Sequence, residues 1–488
     1  MTQYTRRSFL KRSLFTTASL SLLPAWAADT GSVRRRVLGA NDDIRYAVVG
    51  FNGRGQDHLK ELGGLSGARL VAVCDVDRHV LDRELAACKN RGQQVQGYTD
   101  VRRLLDNQDV DVVTFATPNH WHSLGAIWAI QAGKDVYVEK PISHNVWEGY
   151  QLVAAARKYN AIVQAGTQCR SNPGMREAIA WVQAGNLGKI RCAYGLCYKR
   201  RPSIGKVNGP QPIPPNVDYD LWCGPRDKAP LRRKHLHYDW HWVWPTGNGD
   251  LGNQGIHQMD IARWVLGQDR LSPRILSLGG RLGYSDDGTT PNTLIVLHDY
   301  PEAPLIFEVR GLPTSAGSSK MDNYYGASIG VVVTCEGGRL VIPSYDSATA
   351  FDKSGAEVKK FKGGASHFAN FLEAVRSRDR SHLNAEVHEC NLSSALCHTG
   401  NISYRLGKPH SPAELKEAAK DRPELADSLG RMEEHLAANM VDLAKTPVTL
   451  GAVLEMDPHN PERFLGSRHA NALLRDPYRK PFVVPEQV

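Results

Sequence analysis

The feature that most constrains this chain is a regular alternation of short β-rich runs with helical segments between residues 43 and 166. Residues 44–49 read as a strand, 55–62 as the start of a helix, 70–74 as a second strand and 78–89 as a second helix. Thr99 and Asp100 supply a cap for a helix carrying Val101, Leu104 and Leu105. Residues 110–116 are almost wholly apolar, as expected of a strand buried on both faces of a parallel sheet. A helix over 123–132 stops at Gly133, and Val136, Tyr137 and Val138 form the next strand. This order predicts an α/β fold with a doubly wound parallel sheet.

The first turn reads Gly50, Phe51, Asn52, Gly53, Arg54, Gly55, directly between strand one and its helix. Glycines there let backbone N–H groups approach a pyrophosphate, and a helix N-terminus favours negative charge. Asn52 stands where the middle glycine of such loops is usual; Asn tolerates a left-handed backbone better than most residues. A ligand-free Gly-rich turn is the plain alternative for the loop alone. Asp75 tips the balance, because it ends strand two 20 residues past Gly55. A carboxylate there accepts both ribose hydroxyls of NAD and repels the extra phosphate of NADP. Arg78 lies close enough to compensate, so NADP stays open.

The run ATPNHWHSLGAIWAIQAGKDVYVEKP, from Ala116 to Pro141, closely resembles the signature of the glucose-fructose oxidoreductase/inositol dehydrogenase/MocA (Gfo/Idh/MocA) family. The likeness extends over roughly residues 43–407. It implies a Rossmann NAD(P)-binding domain over 43–166 and a substrate and oligomerisation α+β domain over 167–407. The second domain would be built on a large open, mainly antiparallel sheet. Thr117, Pro118, Asn119 and His122 join the glycine loop and Asp75 as implied cofactor contacts, together with Glu139 and Lys140. Lys140 sits at the carboxyl end of a parallel strand, where open α/β sheets place ligands, and Pro141 disposes it to an extended backbone. The resemblance gives Lys140 contact with a substrate hydroxyl beside the nicotinamide. Glu139 either neutralises Lys140 or contacts the nicotinamide ribose.

In the second half, a helix running on from Gly247 would place Asn253, His257, Asp260 and Trp264 on one face and Met259, Ala262, Val265 and Leu266 on another. A polar stripe opposite an apolar one suits a helix lining a cleft. The resemblance implies a catalytic histidine at His257 and an aspartate four residues earlier, where this chain has Asn253. An amide cannot accept a proton as a carboxylate does, so His257 lacks its usual acid unless Asp250 or Asp260 substitutes. Catalytic candidates are therefore Lys140, His257 and Asn253. In the run of residues 235–244, aromatic faces suit a sugar ring and Tyr238 can bond its hydroxyls. A core segment is the equally weighted alternative, and the three histidines are irregularly spaced for a metal. The resemblance also turns Gln168 and Arg170 toward the cleft, so the implied substrate contacts are Gln168, Arg170, Tyr238 and Asp260. Residues 275–361 read as antiparallel hairpins, for example about Gly337 and Gly338. His398 and Asn401 read as buried polar packing. Residues 408–488 form a C-terminal extension with two polar helical stretches and a Pro-rich extended tail.

At 488 residues the chain exceeds one typical domain. Arg6 and Arg7, the apolar run over 14–23, and Ala25 and Ala27 read as a twin-arginine leader over 1–27, followed by an arm over 28–42. This predicts export to the periplasm. Without the leader cations Arg6, Arg7, Lys11 and Arg12, the net charge of +9 falls to about +5, which carries no nucleic-acid footprint. No long apolar run follows the leader, so no integral membrane segment is expected. The expected partners are a small carbohydrate and further copies of the chain, as a dimer or tetramer. An exported enzyme meets no dependable pool of free NAD, so a tightly retained cofactor is expected. Together these features predict hydride transfer from a secondary hydroxyl of a sugar or polyol. The alternative is an NAD-dependent glycosidase acting by transient oxidation and elimination.

Overall fold

The computed structural model describes Gly39 and residues 42–488. The expected leader and nearly all of the arm lie outside the described residues. Six strands, β1 (Ile44–Val49), β2 (Ala68–Cys74), β3 (Gln96–Tyr98), β4 (Val112–Phe115), β5 (Asp135–Val138) and β6 (Val163–Ala165), form a parallel sheet in the order β3-β2-β1-β4-β5-β6. That order reverses direction between β1 and β4, and open α/β sheets bind ligands at such a switch point. β1, β4 and β5 are buried along almost their whole length, as their apolar runs require. Asp77 caps the helix Arg78–Asn90 by accepting from His79 and Val80 N–H, and Asp100 caps Val101–Leu105 through Arg102 N–H. The helix expected from Ser123 begins four residues earlier, at Asn119, which aims its N-terminus at the end of β4.

The second domain is a mixed sheet of β7 (Ile190–Tyr198), β8 (Arg274–Gly280), β9 (Thr293–His298), β10 (Leu305–Arg310), β11 (Ile329–Cys335), β12 (Gly338–Ile342), β13 (Ser347–Asp352) and β14 (Glu357–Lys362), with β15 (Lys408–His410) and β16 (Val448–Leu450) beyond β8. Only β7 and β10 pair parallel; the other pairs are antiparallel. Alternate residues face opposite sides, as a pleated strand demands. Ala193, Val296, Phe307 and Val333 pack with the helices Gly255–Val265 and Val387–Arg405, while Tyr194, Leu297, Ile306 and Val332 face the other way.

That other face is covered by the C-terminal extension, through Leu425, Leu429, Met432 and Leu436 of the helix Pro423–Ala438. The sheet is thus less open than the sequence suggests. The extension also adds β15, β16 and the hairpin β17 (Leu454–Asp457) and β18 (Asn460–Leu465). Its last residues return to the first domain. Phe482 packs edge-on against Trp121 at 5.6 Å between ring centres, and Tyr478 donates to Glu148 at 3.1 Å.

Candidate active site

A cavity of about 520 Å³ opens where β1 and β4 diverge. Its floor is the loop Gly50–Arg54, Asp75 at the end of β2, the turn Thr117–Asn119, His122, and Glu139 and Lys140 after β5. Gly50 has φ of +76°, and a Cβ there would lie 3.0 Å from Thr117, so both backbone and space require glycine. A Cβ on Gly55 would stand 2.1 Å from the Gly50 carbonyl, so this glycine closes the turn behind the cavity wall. Asn52 does not take the left-handed conformation expected of it; Gly50 is the one residue of the loop with positive φ. The loop therefore keeps its path with a side chain at that position.

Asp75 accepts from Phe51 N–H at 3.1 Å and Asp77 N–H at 3.0 Å, which fixes its carboxylate at the wall, while burial raises its pKa. Thr117 Oγ1, buried on the same wall, has no partner among the described residues. Cradle, carboxylate and orphaned hydroxyl fit a dinucleotide. Asn119 lines the wall and donates to Asn248 Oδ1 at 2.9 Å, tying the two domains together. The nitrogens of His122 lie 2.6 and 2.8 Å from the carbonyls of Pro141 and Thr117. His122 thus lines the cavity and clamps the two signature turns side by side.

Glu139 lines the cavity and is held by two basic groups of its own domain. It accepts from Arg54 Nε at 2.8 Å and pairs with His58 Nε2 at 3.1 Å, with His58 wholly buried. Burial works against the carboxylate, but His58 and Arg54 hold its pKa well below the usual range. Its principal partners are thus those two, with Lys140 a weaker electrostatic neighbour. Lys140 Nζ donates to the Asn253 carbonyl at 2.8 Å. Burial lowers the Lys140 pKa, opposed by Glu139. Asn253 shares the wall, so its backbone serves where an acidic side chain was expected.

His257 lies one turn beyond Asn253 on the helix Gly255–Val265 but does not line the cavity. It is 6% exposed, its ring sits 4.9 Å from Tyr345, and its Nδ1 has no partner among the described residues. Burial, then the Lys140 charge, push its pKa well below the ordinary value. Lys140 and His257 are thus electrostatic neighbours; Lys140 lines the cavity, and His257 Nε2, unlike Nδ1, is not among the sealed, unpartnered atoms.

Of the expected polar stripe, Asn253 lines the cavity and His257, Asp260 and Trp264 do not. The helix Gly255–Val265 is buried on almost every side. Asp260, 1% exposed, accepts from Arg170 at 2.8 and 2.9 Å and from Ser393 Oγ at 2.7 Å. Trp264 lies against Arg170, and Arg263 pairs with Glu389 at 2.7 Å. Asp260 and Arg170 are therefore structural ion partners. Gln168, also expected in the cleft, is off the cavity wall with its side-chain oxygen buried and unpartnered among the described residues.

The roof comes from the segment between β7 and the helix Gly249–Asn253, and of the substrate expectations only Tyr238 is found there. His237, Trp240 and His241, from the aromatic run of residues 235–244 that suits a sugar ring, complete it with Leu221 and Trp222, which the sequence did not single out. A seam joins roof to floor: Asp77 accepts from Asn216 Nδ2 at 2.7 Å and pairs with His237 Nε2 at 2.8 Å. Arg78 N–H donates to the Asn216 carbonyl at 2.9 Å, and Trp121 Nε1 to the Leu221 carbonyl at 3.0 Å. Arg201 holds Tyr238 OH at 2.9 Å and forks onto Asp250 at 2.8 Å.

Comparison with known proteins agrees with this architecture. Residues 44–167 match the model of the Gfo/Idh/MocA oxidoreductase family, NAD-binding Rossmann fold, and residues 189–290 match that family's C-terminal alpha/beta domain. A glycosyl hydrolase family 109 protein 2 of Shewanella sp. (strain ANA-3) is 34% identical over 171 residues, covering 32% of this chain and 38% of that protein. Inositol 2-dehydrogenase 1 of Saccharopolyspora erythraea is 35% identical over 147 residues, 30% of this chain and 43% of that protein. The chain thus spans less than half the length of these curated relatives. Among solved structures, the WlbA dehydrogenase of Bordetella pertussis in complex with NADH and UDP-GlcNAcA has a TM-score of 0.55 at 17% identity, over 74% of this chain and 95% of that one. Levoglucosan dehydrogenase in complex with NADH and levoglucosan has a TM-score of 0.53 at 16% identity, over 73% and 95%. These two likenesses speak to the fold. Over residues 44–167 and 189–290 the chain is thus similar to the NAD-binding and the C-terminal alpha/beta domains of the Gfo/Idh/MocA oxidoreductase family.

Proposed function

We propose that this protein transfers a hydride between a secondary hydroxyl of a sugar or polyol and NAD held in the 520 Å³ cavity. The observation that carries this reading is Lys140: its ammonium stands on the same wall as the glycine loop and Asp75, held by the Asn253 carbonyl at 2.8 Å. When bound, the nicotinamide supplies the hydride acceptor. Asp75, with Asp77 beside it, makes the ribose end unfavourable for a 2′-phosphate and so favours NAD over NADP. Lys140 orients the hydroxyl and stabilises its developing negative charge. Trp222 and Trp240 exclude water from the roof, and Tyr238 offers a phenol at its exposed rim.

We propose a tightly retained cofactor, its exit slowed by the seam through which Asn216 and His237 hold Asp77. We further propose that the chain is exported by the twin-arginine route to the periplasm, where retention is an advantage. We also propose a homo-oligomer, with an interface away from the sheet face that Pro423–Ala438 covers.

A second reading is redox-neutral cleavage of a glycoside by transient oxidation and elimination. It is favoured by relatives named as family 109 glycosyl hydrolases and by the absence of a carboxylate at residue 253. Denaturing the purified protein and weighing the released small molecules by mass spectrometry tests the first claim; released NAD(H) is expected, and its absence together with NAD-independent turnover would overturn it. A panel of glucose, galactose, N-acetylhexosamines, myo-inositol and nitrophenyl glycosides separates the two reactions. Net oxidation accumulates NADH, whereas cleavage frees nitrophenol with no net NADH and exchanges ring hydrogens with heavy water.

A further inference from the structure

We infer that the substrate is an anionic carbohydrate, a sugar carrying a carboxylate, sulfate or phosphate, whose charged group is drawn to a cationic rim on the roof side of the cavity. This deepens the hydride-transfer reading and rests on it. The juxtaposition that carries it is a cluster of uncompensated lysines and arginines on the segment that roofs a cavity to which the second domain gives no carboxylate.

The charge of this chain is unevenly spread. Residues 28–488 carry a net charge of +5 with histidine neutral. Residues 199–241, which lead from the end of β7 through the roof, hold nine lysines and arginines against four aspartates. That segment alone accounts for the +5, and the remainder of 28–488 balances to zero. Three of the nine cations are neutralised: Arg201 by Asp250, Arg226 by Glu148 and Asp476, and Lys228 by Asp220. The other six, Lys199, Arg200, Lys206, Arg232, Arg233 and Lys234, have no carboxylate in ion-pair contact among the described residues. Lys234 lies against the turn at Gly205, where a Cβ would stand 3.0 Å from its Nζ, so the stretches 199–206 and 231–235 are neighbours. Two acids face this loop. Asp286 forks onto Arg281, and Asp287 accepts from Val207 N–H at 2.8 Å, which leaves Asp287 to offset one of the six.

Both stretches adjoin the cavity. Arg201, next to the exposed Arg200, holds the hydroxyl of Tyr238 on the roof. Arg233, flanked by the exposed Arg232 and Lys234, is 7% exposed and lies 5.1 Å from the ring centre of Trp222, which lines the cavity. Its Nε is sealed without a partner among the described residues, and its guanidinium donates to the Leu236 carbonyl at 3.3 Å. A guanidinium stays charged when buried, and a buried charge without a counter-ion is costly. An anion bound across the Trp222 ring would offset that cost.

Inside the cavity the carboxylates all come from the first domain, and each is engaged. Asp75 accepts from backbone N–H groups, Asp100 pairs with Arg102, and Glu139 is held by Arg54 and His58. Lys140 is held by a neutral carbonyl. The substrate side therefore offers cations and neutral polar groups. A cleft lined by one sign of charge focuses its field and raises the local concentration of the opposite ion. The same field disfavours cationic amino sugars.

Calorimetric titration of the NADH-loaded protein with matched sugars tests this: glucose against glucuronate, galactose against galacturonate, and N-acetylglucosamine against its 6-sulfate and its 6-phosphate. At about 20 mM salt at least one anionic member should bind roughly 10-fold tighter than its neutral partner, and the advantage should shrink below about threefold near 0.5 M salt. The anion giving the largest ratio distinguishes carboxylate from sulfate and phosphate. In R232Q/K234Q the ratio should fall about fivefold or more, whereas K408Q/R468Q, which removes two exposed cations elsewhere, should change it less than about twofold. Neutral sugars binding as tightly as every anionic partner, an advantage indifferent to salt, or a ratio untouched in R232Q/K234Q would each overturn the inference. So would failure of all the anionic sugars to bind at about 10 mM. Salt-dependent binding of an anionic sugar that is then neither oxidised nor cleaved would strike the hydride-transfer reading and leave the charge assignment standing.

Discussion

The floor and roof of the cavity are made differently. The floor is mostly backbone and short buried side chains, with Gly50, Asp75 and Glu139 each pinned by neighbours in the same domain. The roof is aromatic and reaches the floor through a few side chains, Asn216 and His237 on Asp77 among them. A backbone floor can recognise what all dinucleotides share, whereas an aromatic roof can change its ligand by changing a few rings. We therefore assign cofactor binding to the floor and substrate choice to the roof.

The strongest challenge to this division is K140A. It should lower kcat by about 10²–10⁴-fold while the released NAD(H) stays stoichiometric; loss of the cofactor as well would mean that floor and chemistry are not separable. Next comes D260A, which leaves the buried Arg170 with only its longer contact to Glu389, at 3.2 Å. It should destabilise the protein by about 3–5 kcal/mol in urea unfolding. Unchanged stability with an impaired KM would restore Asp260 to the substrate site. Smaller again is G50A, which forces a side chain into φ of +76° against Thr117. At about 1–2 kcal/mol of backbone strain, NAD affinity should fall roughly 10-fold with little effect on discrimination among sugars.

The mildest effect concerns the seam. Burial disfavours the Asp77 carboxylate, but Asn216 and His237 hold its pKa below the ordinary aspartate value of about 4. The folded value being the lower one, the stabilisation is complete above about pH 4 and is lost as pH falls through the folded value. NAD(H) release should accelerate below about pH 4, and D77N should remove that acid response. An unaltered acid response in D77N would detach the seam from cofactor retention.

The floor was legible in the sequence because its signals are local: the glycine turn, Asp75 and the EKP string each carry their meaning within a few residues. The roof was not, because its seam joins residues 139 and 160 positions apart. The helix Gly255–Val265 misled for a related reason. Its polar positions match those of a cleft-lining helix, but Arg170, 90 residues away, buries Asp260. Periodicity reports that a face is polar; it does not report whether water or an ion partner meets it. β3, with its exposed Gln96 and Gly97, offered no apolar run to find.

The returning tail has a kinetic corollary. Asp476 bonds Arg226 and His144, Phe482 packs on Trp121, and Arg479 grips Asp220 beside the roof helix Tyr219–Cys223. The last turn of chain thus acts as a strap buckled across both lobes, and prising them apart as rigid bodies would tear it from one lobe or the other. On the proposed function, ligand traffic would then run through local fraying of the roof, and the residence time of the cofactor would depend on the strap as well as on the pocket.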